Sequence, residues 1–209
     1  NWMRVGYCQG NFNSDNCAAG GYTLDYGPFG FCELFDPRFQ PWTGGGEHFS
    51  FFNQPSAAEI NFKTFCSSLS PLLSESKQDQ EKLEQIEKGF SELMNKELMK
   101  MWANKLGLEH YNETLINEFF NLMLISKADY TILFRKLSDI PDNLDSLKDS
   151  FYFPINDEIN NRWEVWIENW QSVLKKEGNI KEKSVTMKRS EEHTSELQSP
   201  MYLVCRLLL

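Results

Sequence analysis

Two short clusters of oxygen-bearing side chains near the start of the chain have the composition of a phosphoryl-transfer site. The first cluster is Asn13–Asn16, and the second is Asp25–Gly27. Kinase-like chemistry needs a carboxylate that orients or deprotonates an attacking hydroxyl group. It also needs an amide oxygen and a second carboxylate that hold Mg²⁺ against the nucleotide phosphates. Asp15, Asn16 and Asp25 can fill these roles.

The residues between the two clusters predict a β-hairpin. Two mostly apolar runs that suit β-strands, Cys17–Ala19 and Tyr22–Leu24, flank Gly20-Gly21, a pair typical of a tight turn. Folding at this turn would bring Asn16 and Asp25 to neighbouring strand ends. The simpler alternative is that both clusters are ordinary turn residues, because Asn, Asp, Ser and Gly favour turns for local hydrogen-bonding reasons.

A longer set of motifs extends in order along the chain. Its first members are Asn13-Ser14-Asp15-Asn16, Asp25-Tyr26-Gly27-Pro28-Phe29-Gly30-Phe31, Phe35-Asp36-Pro37 and Asn53-Gln54-Pro55. Later members are Lys105–Leu108, Ala128–Thr131, Phe134–Ser138 and Trp163–Trp170. Together they closely resemble the selenoprotein O family (SelO, called YdiU in bacteria), over roughly residues 1–188. An ordered set of this length is far more specific than any single motif.

The resemblance implies a protein-kinase-like fold and the transfer of AMP from ATP to protein hydroxyl groups, rather than transfer of the terminal phosphate. Carried over residue by residue, Asp15 is the proton acceptor, and Asn16 and Asp25 are the ligands of Mg²⁺. Asp25 also lies beside the ATP phosphates. Mn²⁺ can replace Mg²⁺, and the implied partners are proteins that present Ser, Thr or Tyr hydroxyl groups.

Two positions differ from the family pattern H-G-x-x-N-T-D-N. The chain keeps Gly10, Asn13, Asp15 and Asn16, with Ser14 in place of Thr. Gln9 stands where His is usual, which puts one loop-ordering interaction in question. Two alternatives stay open. One is a conventional protein kinase that transfers the γ-phosphate with the same residues. The other, motivated by Gln9, is a pseudoenzyme that binds a nucleotide or a partner without chemistry.

The expected fold class is α+β, in a protein-kinase-like arrangement that lacks the small lobe. Nine of the 12 glycines fall within the first 46 residues, so the beginning should be rich in loops and the remainder in helices. We expect residues 1–55 to form the catalytic-loop and metal-binding segment and residues 56–188 to form a helical lobe. Because no Gly-rich loop or ATP-phosphate lysine is identifiable, residues 1–188 alone are expected to be inactive.

Hydrophobic periodicity predicts the main helices. Apolar residues at spacings of three or four predict an amphipathic helix over Leu83–Trp102, with Gly107 as its stop. The same period and flanking polar caps predict helices over Ala57–Leu73, Asn112–Ile125 and Asp157–Lys176. Their apolar stripes are expected to face the core.

Composition narrows the class of protein. A formal net charge of -9 argues against a nucleic-acid-binding surface, which needs clustered Lys and Arg. Five cysteines without a Cys-x-x-Cys pair suggest reduced thiols inside a cell, and no zinc-ligand spacing occurs. Cys8, Cys17 and Cys32 are expected to be small buried apolar residues, with a redox role near the proposed site as the alternative. The family resemblance implies the cytoplasm for a bacterial protein and mitochondria for a eukaryotic one.

The end of the chain has a different character. Arg189–Ser199 looks like the translation of a common sequencing-library adapter, so residues 189–209 are expected to derive from such an adapter. Met201–Leu209 is apolar but too short to cross a bilayer as a helix, so no membrane span is expected.

Overall fold

The computed structural model describes residues 1–21, 23, 27–73 and 75–197. Within them a two-stranded sheet accompanies a larger set of helices, in agreement with the expected α+β class. The strands are β1 (Tyr7–Gln9) and β2 (Phe29–Phe31). The α-helices are α1 (Trp2–Val5), α2 (Gln54–Leu69), α3 (Lys77–Lys105), α4 (Glu113–Ser126), α5 (Tyr130–Leu137), α6 (Asp157–Glu177) and α7 (Ile180–Leu197). Short 3₁₀ helices occur at Ser14–Asn16, Glu47–Phe49, Phe51–Asn53, Ser70–Leu73 and Leu144–Ser150.

The chain packs into two compact units. Unit 1 contains Asn1–Gly6, Phe31–Asp36 and the chain from Met99 onward, and unit 2 contains Tyr7–Gly30 and Pro37–Leu98. α7 continues through residue 189 and ends at Leu197. The expected divisions after residues 55 and 188 stay predictions.

The sheet uses different residues from those of the predicted hairpin. β1 is buried along its whole length and pairs with β2, and just beyond the strands the Gly10 N–H donates to the Pro28 carbonyl at 2.6 Å. The predicted strand at Cys17–Ala19 is wrong, since this run is irregular and largely exposed. Its small side chains offer little apolar area to bury, whereas those of β1 offer more.

The turn predicted within that hairpin does form. The Gly21 N–H donates to the Ala18 carbonyl at 2.9 Å. Gly21 has a φ of 77°, in the left-handed region that favours glycine. Tyr22 and Leu24 of the second predicted strand lie outside the described residues.

Unit 2 is built around α2 and the first part of α3. The predicted helix at Ala57–Leu73 is confirmed in outline, since α2 covers Gln54–Leu69 and a 3₁₀ turn continues to Leu73. α2 contacts the 3₁₀ turn Ser14–Asn16. The rings of Phe62 and Phe90 stack at a centroid distance of 4.7 Å and join α2 to α3.

α3 confirms the predicted helix but not the predicted burial of its apolar stripe. The helix is longer at both ends than Leu83–Trp102, and Gly107 follows its end with a φ of 67°, as expected for a stop. Ile86 is 60% exposed and Leu93 is 59% exposed. Only the last turns of α3 contain fully buried side chains, so most of the stripe does not face a core within the described residues.

Unit 1 has an aromatic core formed mainly by α4 and α6. The predicted helices at Asn112–Ile125 and Asp157–Lys176 are confirmed within one residue of their ends. α6 buries Trp163, Trp166 and Trp170, and Phe119 of α4 stacks on Trp166 at 4.8 Å. The Asn112 and Asn156 side chains cap the N-termini of α4 and α6.

No helix in the part of the chain that the structure describes is both long enough and apolar enough to cross a membrane.

Candidate active site

Asp15 lies on an exposed 3₁₀ turn that follows β1. Ser14–Asn16 form a single turn, in which the Asn16 N–H donates to the Asn13 carbonyl at 3.0 Å. Asp15 is exposed on this turn. It is therefore accessible to a hydroxyl group that approaches from outside, as a proton acceptor must be.

Asn16 is held by its own side chain. Its Nδ2 donates a hydrogen bond to the Asn11 carbonyl at 2.8 Å, which closes the loop between β1 and the turn. Among the described residues no group donates to its Oδ1. Because the nitrogen end of the amide is bound to the loop, the oxygen end, which is the metal-binding end, is the one left for a ligand.

Gln9 lies inside unit 2 at the end of β1. It is 1% exposed, its Oε1 accepts a hydrogen bond from the Tyr7 hydroxyl, and its backbone N–H donates to Gln54 Oε1 at 2.9 Å. Within the described residues its Nε2 is buried without a hydrogen-bond partner. Gln9 therefore packs β1 internally, and the loop that follows is closed by the bond from Asn16 to Asn11.

Gly10 is required by a close backbone approach. A Cβ at this position would lie 2.6 Å from the Pro28 carbonyl oxygen and 3.0 Å from the Trp42 Cβ. Since the first contact is with a backbone atom and is shorter than real Cβ contacts, glycine lets the chain leave β1 along this path without a shift of the backbone.

The predicted partner carboxylate, Asp25, lies outside the described residues, as does Tyr26. Its approach to Asn16 stays a prediction. Among the described residues no group of three or more His, Cys, Asp or Glu side chains is placed to hold a metal ion. Two potential metal ligands are described on the turn, the exposed Asp15 carboxylate and the Asn16 amide oxygen. Both are hard oxygen ligands of the kind that Mg²⁺ prefers, so their chemistry fits that ion.

Cys8, Cys17 and Cys32 differ in exposure. Cys8 and Cys32 are buried, as predicted, and burial raises the pKa of the Cys32 thiol to about 12. The prediction for Cys17 is wrong, because it follows the exposed 3₁₀ turn and is itself exposed. Desolvation by neighbouring groups still raises the pKa of the Cys17 thiol above its ordinary value.

Two residues of α2 that contact the loop were not among the predicted site residues. Gln54 and Asn61 are buried, and their side-chain amides hydrogen-bond to the backbone of Tyr7–Phe12. Gln54 belongs to a motif of the resemblance, but its type alone assigns no role. For Asn61 the signal available in the sequence is a polar residue at a core-facing position of a predicted helix.

Comparisons with known proteins point to a single family. A family model described as "Protein adenylyltransferase SelO" matches residues 1–204. A curated protein of Flavobacterium johnsoniae, named protein nucleotidyltransferase YdiU, is 32% identical over 178 residues, which are 79% of this chain and 33% of the relative.

Two further bacterial relatives carry the same name. The protein of Aromatoleum aromaticum is 35% identical over 159 residues, covering 72% of this chain and 30% of the relative. The protein of Pelagibacter ubique is 32% identical over 203 residues, covering 90% of this chain and 38% of the relative. The chain thus spans about a third of the length of the curated relatives it matches.

Proposed function

Because the chain belongs to the SelO family of protein adenylyltransferases, we propose that the complete protein transfers AMP from ATP to Ser, Thr or Tyr hydroxyl groups of other proteins. The observation that carries this proposal is the 3₁₀ turn Ser14–Asn16, which presents a carboxylate and an oriented amide side by side on an exposed loop. We propose that this turn belongs to the catalytic loop of a protein-kinase-like fold.

In the proposed reaction Asp15 accepts the proton of the attacking hydroxyl group. The hydroxyl oxygen forms a bond to the α-phosphorus of ATP, and the bond from that phosphorus to the oxygen bridging to the β-phosphorus breaks. Pyrophosphate leaves, and AMP stays on the protein substrate. An exposed carboxylate suits a protein substrate, because the reacting side chain must reach it from outside the molecule.

Asn16 and Asp25 are the proposed ligands of Mg²⁺, or of Mn²⁺ in its place. The Asn16 amide supports this role, since its nitrogen is bound to the Asn11 carbonyl and its oxygen is left for the metal. When bound there, the ion would neutralise the negative charge that develops on the pyrophosphate leaving group. Asp25 would supply a charged oxygen and lie beside the phosphates.

A second candidate function is nucleotide binding without transfer. It is motivated by Gln9, which is buried at the end of β1 and lacks a hydrogen-bond partner for its Nε2 within the described residues. Nucleotide-dependent thermal stabilisation of the complete protein, without label transfer to any substrate, would favour this function.

Substitution of the two carboxylates tests the proposal. In the complete protein Asp15→Asn should lower AMP transfer from α-labelled ATP by about 10²- to 10⁴-fold, because it removes the proton acceptor. Asp25→Ala should abolish transfer, because a metal ligand is lost. Asp142→Asn is the matched control, since Asp142 is an exposed carboxylate of unit 1 to which the proposal gives no role.

A different result would contradict the proposed role of each carboxylate. Wild-type labelling by Asp25→Ala would disprove the metal assignment, and wild-type labelling by Asp15→Asn would disprove the proton acceptor. Calorimetric titration with a non-hydrolysable ATP analogue should show that Asp15→Asn still binds the nucleotide. This result would separate a loss of chemistry from a loss of binding.

A further inference from the structure

One face of α2 carries two buried amide side chains directed at the chain segment that leads to Asp15. Gln54 is 3% exposed and Asn61 is 7% exposed. They are about two helical turns apart and therefore lie on the same side of α2. A buried amide must satisfy its hydrogen bonds inside the protein, so the direction of each one is fixed by its partners.

Gln54 pairs with β1 as a neighbouring strand would. Its Oε1 accepts a hydrogen bond from the Gln9 N–H at 2.9 Å, and its Nε2 donates to the Tyr7 carbonyl at 2.9 Å. The same Nε2 also lies 3.2 Å from the Phe51 carbonyl. Both ends of β1 are thus joined to the start of α2 by one side chain.

Asn61 acts further along the same segment. Its Nδ2 donates to the Phe12 carbonyl at 2.9 Å, and Phe12 is itself buried. The preceding carbonyl, that of Asn11, accepts the hydrogen bond from Asn16 Nδ2 at 2.8 Å. Two consecutive carbonyl groups of the loop therefore bind two amides, one from α2 and one from the proposed metal ligand.

We propose that Asn61, supported by Gln54, is a positioning residue that sets the direction of the Asn16 amide oxygen toward the metal ion. Asn61 binds the Phe12 carbonyl and so restricts the backbone at Phe12, which keeps the preceding Asn11 carbonyl in place. The Asn11 carbonyl in turn accepts the hydrogen bond from the nitrogen end of the Asn16 side chain. This inference rests on the proposed function, because it assigns a purpose to the orientation of Asn16. Groups that hydrogen-bond directly to a metal ligand commonly change metal affinity by about 10- to 100-fold when they are removed, and this sets the scale of the effect expected for Asn61.

The test is metal binding by variants of the complete protein. Asn61→Leu keeps the approximate shape of the side chain and removes its N–H donor. Asn61→Ser is a second variant whose smaller side chain leaves room for a water molecule at the Phe12 carbonyl, so the chain should still fold. Cys66→Ala is the matched control, because Cys66 is buried on α2 and does not contact the loop through any hydrogen bond among the described residues.

The affinity for Mn²⁺ is measured by calorimetry in the presence of a non-hydrolysable ATP analogue, and melting temperature is measured alongside. We expect both Asn61 variants to bind Mn²⁺ about 10- to 100-fold more weakly than the wild type, while Cys66→Ala binds as the wild type. AMP transfer by the Asn61 variants should fall at low Mg²⁺ concentration and recover in part at high concentration.

Wild-type Mn²⁺ affinity in both Asn61 variants would overturn the inference. An equal loss of affinity in Cys66→Ala would also overturn it, because general destabilisation of α2 would then explain the effect. A wild-type protein that binds Mn²⁺ with the nucleotide but transfers no AMP would contradict the proposed function alone. Weaker binding by the Asn61 variants of that protein would still support the positioning role.

Discussion

Asp15 and Asn16 are neighbours in the chain, but the sequence determines their surroundings to different degrees. Asp15 is exposed, and a turn at this place follows from its Asn, Ser and Asp content. The Asn16 amide nitrogen donates instead to the Asn11 carbonyl, and the neighbouring Phe12 carbonyl accepts a hydrogen bond from Asn61. The motif Asn13–Asn16 could indicate which residues form the site. Asn61 lies almost fifty positions further along the chain than Phe12, so no local pattern shows how the loop is held.

The cysteines provide a prediction at this scale. At pH 8, iodoacetamide should alkylate Cys17 well before Cys32 in the folded protein, because Cys17 is exposed and Cys32 is buried. A thiol with a pKa of about 12, as in Cys32, is ionised to only about one part in 10,000 at pH 8, and the thiolate is the reactive form. The labelling rate of Cys17 should rise with pH until its own raised pKa is reached.

Peptide mass spectrometry after timed quenching measures both rates. Unfolding in urea is the control, since it should bring the rates of Cys17 and Cys32 close together. Equal labelling of the two thiols in the folded protein would contradict the burial of Cys32.

At the scale of elements, the helices were the most predictable feature. α4 and α6 follow from a clear apolar period with Asn112 and Asn156 in place to cap their N-termini. α3 was predicted as a helix for the same reason, but its period does not show what covers the stripe, and Ile86 remains 60% exposed. The predicted strand at Cys17–Ala19 is wrong because its small side chains offer little apolar area to bury, whereas β1 buries its whole length.

Two buried tryptophans of α6 provide a test of how much one buried hydrogen bond contributes to stability. Trp163 and Trp170 are both 0% exposed, but Trp170 Nε1 donates to the Leu106 carbonyl at 2.8 Å, whereas Trp163 Nε1 is buried without a partner within the described residues. Trp170→Phe should therefore lower the free energy of unfolding by about 1–3 kcal/mol more than Trp163→Phe, because it leaves a buried carbonyl unpaired.

Urea unfolding followed by circular dichroism measures the two changes. The loss of ring volume is the same in both variants, so each serves as the control for the other. A loss of stability for Trp163→Phe equal to or greater than that for Trp170→Phe would show that packing, and not the hydrogen bond, determines the cost.

At the scale of the whole molecule, the family was predictable from ordered motifs, while the two packing units were not. Phe31–Asp36 belongs to unit 1 because the Phe35 N–H donates to the Ala128 carbonyl and the Tyr130 N–H donates to the Glu33 carbonyl, each at 2.8 Å. A few backbone hydrogen bonds between distant segments produce no periodicity in the sequence. The sequence therefore could not show that Phe31–Asp36 belongs to unit 1. The family, in contrast, follows from residue types in a fixed order, and the match to its model over residues 1–204 confirms it.

The chemistry proposed for the complete protein is tested most directly by comparing ATP labelled on the α-phosphate with ATP labelled on the γ-phosphate. Parallel incubations with protein substrates, with Asp15→Asn as the negative control, show which part of the nucleotide is transferred. AMP transfer predicts that label from α-labelled ATP becomes attached to protein, that γ-label does not, and that Asp15→Asn loses the signal. Attachment of the γ-label would identify a conventional kinase, and attachment of neither label would contradict catalysis by this site.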